Sequence, residues 1–165
     1  MRTKILLLFF FYAFTAAAQQ KMVLTAKGFE PLKVEVPQNS AFQIFTNSKD
    51  WMRGYYQTET EFQEIEGQQL TIDAFKNNAF FFRSLGETYY YKIKYNLKIE
   101  FVDGFYTFYF RVDEIYTINT LTKTQISDYF LSNGNIKDEY ADVKSSLEYT
   151  VNAIARSHYN YVFGI

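Results

Sequence analysis

The segment from Tyr89 to Tyr116 constrains the fold more than any other, because its two halves alternate in step. From Tyr89 to Phe101 every odd position is apolar or aromatic (Tyr89, Tyr91, Ile93, Tyr95, Leu97, Ile99, Phe101), while the even ones include Lys92, Lys94, Asn96, Lys98 and Glu100. A period of two marks a half-buried strand. Asp103-Gly104 then predicts a two-residue type I′ turn, beyond which the apolar positions become even: Tyr106, Phe108, Phe110 and Val112. Such a loop pairs Phe101 with Tyr106, Ile99 with Phe108, Leu97 with Phe110 and Tyr95 with Val112, so the apolar sides of both arms coincide. An architecture follows from this pattern; an activity does not.

The N-terminus points to export. Arg2 and Lys4 precede an apolar run from Ile5 to Phe14, and Ala16-Ala17-Ala18 supplies the small residues of a signal-peptidase site before Gln19. The run is short for a bilayer, which needs about twenty apolar residues, so residues 1–18 read as a signal peptide rather than an anchor. Residues 19–165 then form one domain, periplasmic or extracellular, with no transmembrane segment once the leader is removed. Cleavage takes away two of the 17 basic residues and none of the 18 acidic ones, leaving a net charge of −3. An acidic exported domain lacks the basic footprint of a nucleic-acid binder. The chain has no cysteine, which excludes disulfides, thiolate metal sites and a cysteine nucleophile.

Around the hairpin the sequence predicts two short strands, Lys21–Thr25 and Leu32–Val36, separated by a turn at Gly28 and Pro31. Asn39 or Ser40 caps a helix running to about Tyr55, with Ile44, Phe45, Ser48, Trp51, Met52 and Tyr55 near one face. Thr58 to Phe82 reads as two or three strands with turns at Glu66-Gly67 and Lys76-Asn77-Asn78. After a polar segment, Thr117–Gln125, comes a short helical turn over Ile126–Leu131 that ends at Asn133-Gly134. A long amphipathic helix follows, about Asn135 to Tyr161, whose apolar stripe is Ile136, Tyr140, Val143, Leu147, Val151, Ile154 and His158. The order predicts an α+β fold, a curved antiparallel sheet with two main helices on one face.

Three segments carry a resemblance. Gly28-Phe29-Glu30-Pro31-Leu32 with Val34-Glu35-Val36-Pro37, the Trp51 helix, and Leu97–Tyr106 (LKIEFVDGFY) together resemble a family of exported Bacteroidota domains of unknown function, domain of unknown function 4468. The likeness covers roughly residues 22 to 160. It implies a TBP-like fold, that of the TATA-box-binding protein in shape alone, and an exported domain with no assigned activity. It brings no catalytic residues with it.

No motif for hydrolysis, phosphate binding, dinucleotide binding or zinc occurs, and the sequence calls for no metal or cofactor. His158 is the only histidine and lies on an apolar stripe, the place of a packed imidazole. Strand periodicity sends Glu59 and Glu61 to one face and Glu64 and Glu66 to the other, so they build no oxygen cage. A hydrolase would need carboxylates gathered by the fold, for instance Glu100, Asp113 and Glu114 near His158. The stronger expectation is a non-catalytic binding or structural domain of the bacterial envelope. Its candidate surface is the outer side of the hairpin, where Lys98 faces Tyr109, Asn96 faces Arg111 and Lys94 faces Asp113, with Tyr90 and Lys92 further along. Cations and aromatics sharing one surface suit an envelope protein, a glycan or an anionic polymer.

Overall fold

The computed structural model describes residues 21–57, 61–117 and 120–165; the leader and Thr58, Glu59 and Thr60 fall outside them. The hairpin forms as β6 (Glu87–Val102) and β7 (Phe105–Thr117), with Phe101 opposite Tyr106, Ile99 opposite Phe108, Leu97 opposite Phe110 and Tyr95 opposite Val112. Seven of these eight side chains are buried, Val112 being half-buried. Each is worth about 1.5–3 kcal/mol, and a one-residue slip would expose them all, which is why the register is firm.

Three local features differ from expectation. The turn at Asp103-Gly104 is not type I′: only Gly104 takes a positive φ (82°), and the Asp103 carboxylate accepts from the Ala41 N–H at 2.8 Å. That bond ties the turn to the first residue of helix α1 (Ala41–Tyr56), which Ser40 caps through the Gln43 N–H. Secondly, Asp113 is an extra residue in β7, a bulge, so Lys94 faces Glu114 rather than Asp113. Beyond it the parity reverses, burying Ile115 and turning Tyr116 outward beside Lys92.

Thirdly, Lys76-Asn77-Asn78 is not a turn. It lies within one long strand, β5 (Gln69–Ser84), at an irregularity where β5 advances from Lys76 to Phe80 while β6 retreats only from Ile93 to Tyr91. The turn that closes β5 onto β6 is Leu85-Gly86, and its φ values of 50° and 83° are both positive, the φ signs of a type I′ turn.

The sheet is completed by β3 (Leu32–Glu35) against β7 and by β4 (Phe62–Ile65) against β5, giving the antiparallel order β3-β7-β6-β5-β4. β8 (Thr120–Leu121) pairs with the end of β7, and β1 (Leu24–Thr25) with β2 (Gly28–Phe29) forms a separate small hairpin. Helix α2 (Ala141–Phe163) starts later than the sequence suggests, because Ile136 is drawn into a bridge with Phe130 and a 3₁₀ turn, Asp138–Tyr140, precedes it.

Both helices pack on the inner face of the sheet. Val143, Leu147, Val151, Ile154 and His158 of α2 and Ile44, Ser48, Trp51 and Met52 of α1 are buried there. Helix α2 also serves open backbone elsewhere. Past β4 the edge of β5 has no strand partner among the described residues, and Ser146 accepts from the Phe81 N–H at 3.1 Å while Thr150 donates to the Ala79 carbonyl at 2.6 Å. The Asn152 amide bonds both backbone groups of Met22 at 2.9 Å, and Glu148 accepts from the Leu24 N–H at 2.9 Å. The N-terminal segment is thereby fastened to α2 as if to a strand.

Candidate functional site

With the inner face sealed by helices, the other side of β5, β6 and β7 is open to solvent. All six candidate residues lie on β6 and β7, on this outer face, but the structure divides them. At one end Lys98, Tyr109 and Arg111 border a cleft of about 320 Å³ with Lys27 of the β1–β2 turn. At the other end Tyr90 and Lys92 border a cleft of about 500 Å³ with Asn77, Asn78 and Thr88. Lys94 falls between the two.

At the first end the cations of β6 and β7 are paired, while Lys27 of the β1–β2 turn has no carboxylate partner among the described residues. The Lys98 ammonium donates to Glu100 at 2.6 Å and lies 4.2 Å from the Tyr109 ring centroid, and the Tyr109 hydroxyl donates to the same carboxylate at 2.8 Å. These bonds, Lys98 first, hold the Glu100 carboxyl below the ordinary range, and they raise the Tyr109 hydroxyl. Arg111 donates to Asp113 at 2.6 Å, which raises the guanidinium further. Asn96 donates to Asp73 at 2.8 Å. Lys94 lies 3.5 Å from Glu114, whose carboxyl is held down first by the Tyr116 hydroxyl and then by Lys94. The basic character expected here is cancelled pair by pair.

The second end keeps its charge. Lys92 has no carboxylate partner among the described residues; its ammonium sits 4.5 Å from the Phe75 ring centroid and 5.5 Å from that of Tyr116. Phe75 is 54% exposed and Tyr90 57% exposed, with Phe81 beside Tyr90 at 6.0 Å between centroids. Phe75, Phe81 and Tyr116 were not among the candidate residues. Phase identifies Phe75, since it follows Thr71 and Asp73 on the polar side of β5, whereas Tyr116 reaches the face only through the Asp113 bulge.

The carboxylates proposed for a hydrolase do not converge on the histidine. Glu100 and Glu114 are on the outer face and Asp113 pairs with Arg111, while His158 is fully buried on the inner face. Its Nε2 is 2.8 Å from Ser48 Oγ, and the rings of Trp51, Tyr106 and Phe108 enclose it at 4.9, 4.7 and 5.7 Å. Desolvation lowers its pKa to about 3, so the imidazole is neutral. Ser48 and His158 have the spacing of a nucleophile and its base, but both are sealed from solvent, and among the described residues no group bonds the His158 Nδ1. Glu64 pairs with Lys49 at 2.5 Å, Glu59 lies outside the described residues, and among the described residues no group of three or more metal-ligating side chains gathers.

No protein-family model matches the sequence, and a search of curated proteins finds no match. Solved structures do match. A TBP-like protein from Parabacteroides distasonis aligns over 81% of this chain and 91% of its own, with a TM-score of 0.59 and 16% identity. The fold is TBP-like. A DUF4468 family protein from Bacteroides ovatus aligns over 82% of this chain and 85% of its own, with a TM-score of 0.54 and 10% identity. At these identities the likeness is one of fold, and it agrees with the TBP-like architecture that the sequence resemblance implies. No helix among the described residues is long and apolar enough to cross a membrane.

Proposed function

We propose that the protein is an exported, non-catalytic binding or structural domain of the bacterial envelope, a member of domain of unknown function 4468. We assign its contacts to the outer face carrying Tyr90, Lys92, Lys94, Lys98, Tyr109 and Arg111. The observation that supports this reading is an asymmetry. One face of the sheet is closed by helices, whereas the other leaves Phe75 and Tyr90 more than half exposed beside charged and polar side chains. Contiguous exposed aromatics with a polar surround mark contact surfaces. The leader, Arg2 to Ala18, supports export. The exclusion of His158 from the outer carboxylates favours binding over hydrolysis.

The test is capture from a native envelope fraction by the immobilised processed protein and by a Lys98→Glu/Arg111→Glu variant. Both cations are in surface pairs worth about 0–1 kcal/mol, so the variant folds, and like charges then meet across any interface with an acidic partner. Loss of the captured material is expected. Undiminished capture by the folded variant would remove this face from consideration.

A further inference from the structure

We propose that the Lys92 end of the outer face is a binding site for an acidic sugar, a pyranoside carrying a carboxylate. The inference rests on the reading of the outer face as a contact surface, and it names both the place on that face and the chemistry of the ligand.

Charge selects the place. Of the four cations on β6 and β7, Lys94, Lys98 and Arg111 each have a carboxylate at 3.5, 2.6 and 2.6 Å. Lys92 has none among the described residues, and its surroundings are aromatic rather than acidic: Phe75 at 4.5 Å and Tyr116 at 5.5 Å. An ammonium on ring faces keeps its attraction for an anion, since a quadrupole neutralises no net charge. The Glu114 carboxylate nearby already accepts from Lys94 and from the Tyr116 hydroxyl, so it is committed elsewhere.

Shape and hydrogen bonding select the ligand. The cleft of about 500 Å³ beside Lys92 is bounded by Asn77, Asn78, Thr88, Tyr90 and Thr117. Its volume is in the range of small-molecule sites. Asn77 and Asn78 are presented there by the irregularity in β5, where Asn78 takes a left-handed φ of 50°, a conformation outside ordinary strands. Each amide offers a donor and an acceptor side by side, the arrangement that adjacent hydroxyls of a sugar ring satisfy. Tyr90, which borders the cleft and is more than half exposed, offers ring surface to the C–H face of the same ring. A simple anion uses the lysine alone, and a neutral sugar leaves the lysine unused; an acidic pyranoside uses both kinds of group.

The test titrates the processed protein with three probes: tetragalacturonate, its neutral methyl ester, and tripolyphosphate. Tetragalacturonate is expected to bind, with the ester at least about tenfold weaker, the loss of roughly one charged contact. Tripolyphosphate is expected to bind more weakly than tetragalacturonate. Lys92→Gln and Tyr90→Ala should each weaken tetragalacturonate about tenfold, whereas Arg53→Gln, on the exposed surface of α1 and off the outer face, should change it less than about twofold. Amide shift changes in the unmodified protein, which need no variant to fold, should centre on residues 75–78, 88–92 and 116–117. Absence of binding by both sugars, tripolyphosphate binding as tightly as the sugar acid, an unaffected Lys92→Gln, or shifts centred elsewhere would each overturn the proposal. If the sugars fail while the Lys98→Glu/Arg111→Glu variant still loses envelope capture, the ligand class is wrong and the contact surface stands.

Discussion

The buried histidine makes the fold acid-sensitive in a measurable way. His158 is fully buried, and the groups facing it, Ser48, Trp51, Tyr106 and Phe108, carry no charge to stabilise an imidazolium. Desolvation brings its pKa to about 3 in the folded protein, against about 6.5 in an unfolded chain. Between those values the unfolded chain holds one proton more, so stability falls as pH falls, by about 1.4 kcal/mol per pH unit. The contribution is intact above about pH 6.5, has dropped by about 3 kcal/mol at about pH 4.5, and continues to fall towards about pH 3. Other carboxylates held low, such as Glu100 and Asp142, also withdraw stability in acid, so the effect is isolated by comparison. His158→Gln keeps a group that bonds Ser48 and removes the titration. Urea unfolding at about pH 7.5 and about pH 4.5 should show the unmodified protein losing about 3 kcal/mol more than the variant over that interval. Each protein is its own reference, so the variant's lower starting stability cancels. Equal losses in both would refute the reasoning.

Leu85 is fully exposed and sits at φ 50° in a turn whose φ signs suit Asn-Gly, so Leu85→Asn should stabilise the protein by about 1 kcal/mol in urea; no gain would contradict the turn assignment. Asn152→Ala leaves both backbone groups of the buried Met22 without partners and should cost about 2–4 kcal/mol, with early proteolysis near residues 22–24; a cost under about 0.5 kcal/mol would show the N-terminal segment is not fastened to α2. EDTA and dithiothreitol should leave the melting temperature unchanged, since the chain has no cysteine; a fall of several degrees in EDTA would point to a carboxylate-held ion.

The hairpin was legible because alternation on two arms must agree, and the eight alternate apolar residues between Tyr95 and Phe101 and between Tyr106 and Val112 carry that agreement without a break. The Asp113 bulge has a trace in the sequence: buried Ile115 is odd-numbered in a strand whose earlier buried residues are even. The β5 irregularity had none, because β5 gains two residues there and parity is preserved, so Leu70, Ile72, Phe80 and Phe82 stay in phase while Asn77-Asn78 imitates a turn. Leu85 concealed the true turn, leucine being a poor residue for positive φ. The outer face was found, but its electrostatics were not: strand phase shows Lys98 and Glu100 on one side, and only the folded geometry shows that they bond. The fastening of Met22 by Asn152 spans 130 residues of chain and leaves no local pattern.

Contact through the outer face is tested most directly by site-specific photocrosslinking in intact cells. A benzoylphenylalanine replaces either Phe75 on the outer face or Tyr149 on the exposed side of α2, both well exposed. Adducts from position 75, absent or much weaker from position 149, are predicted. Adducts from position 149 with none from position 75 would contradict the account and move the contact surface to the helical side.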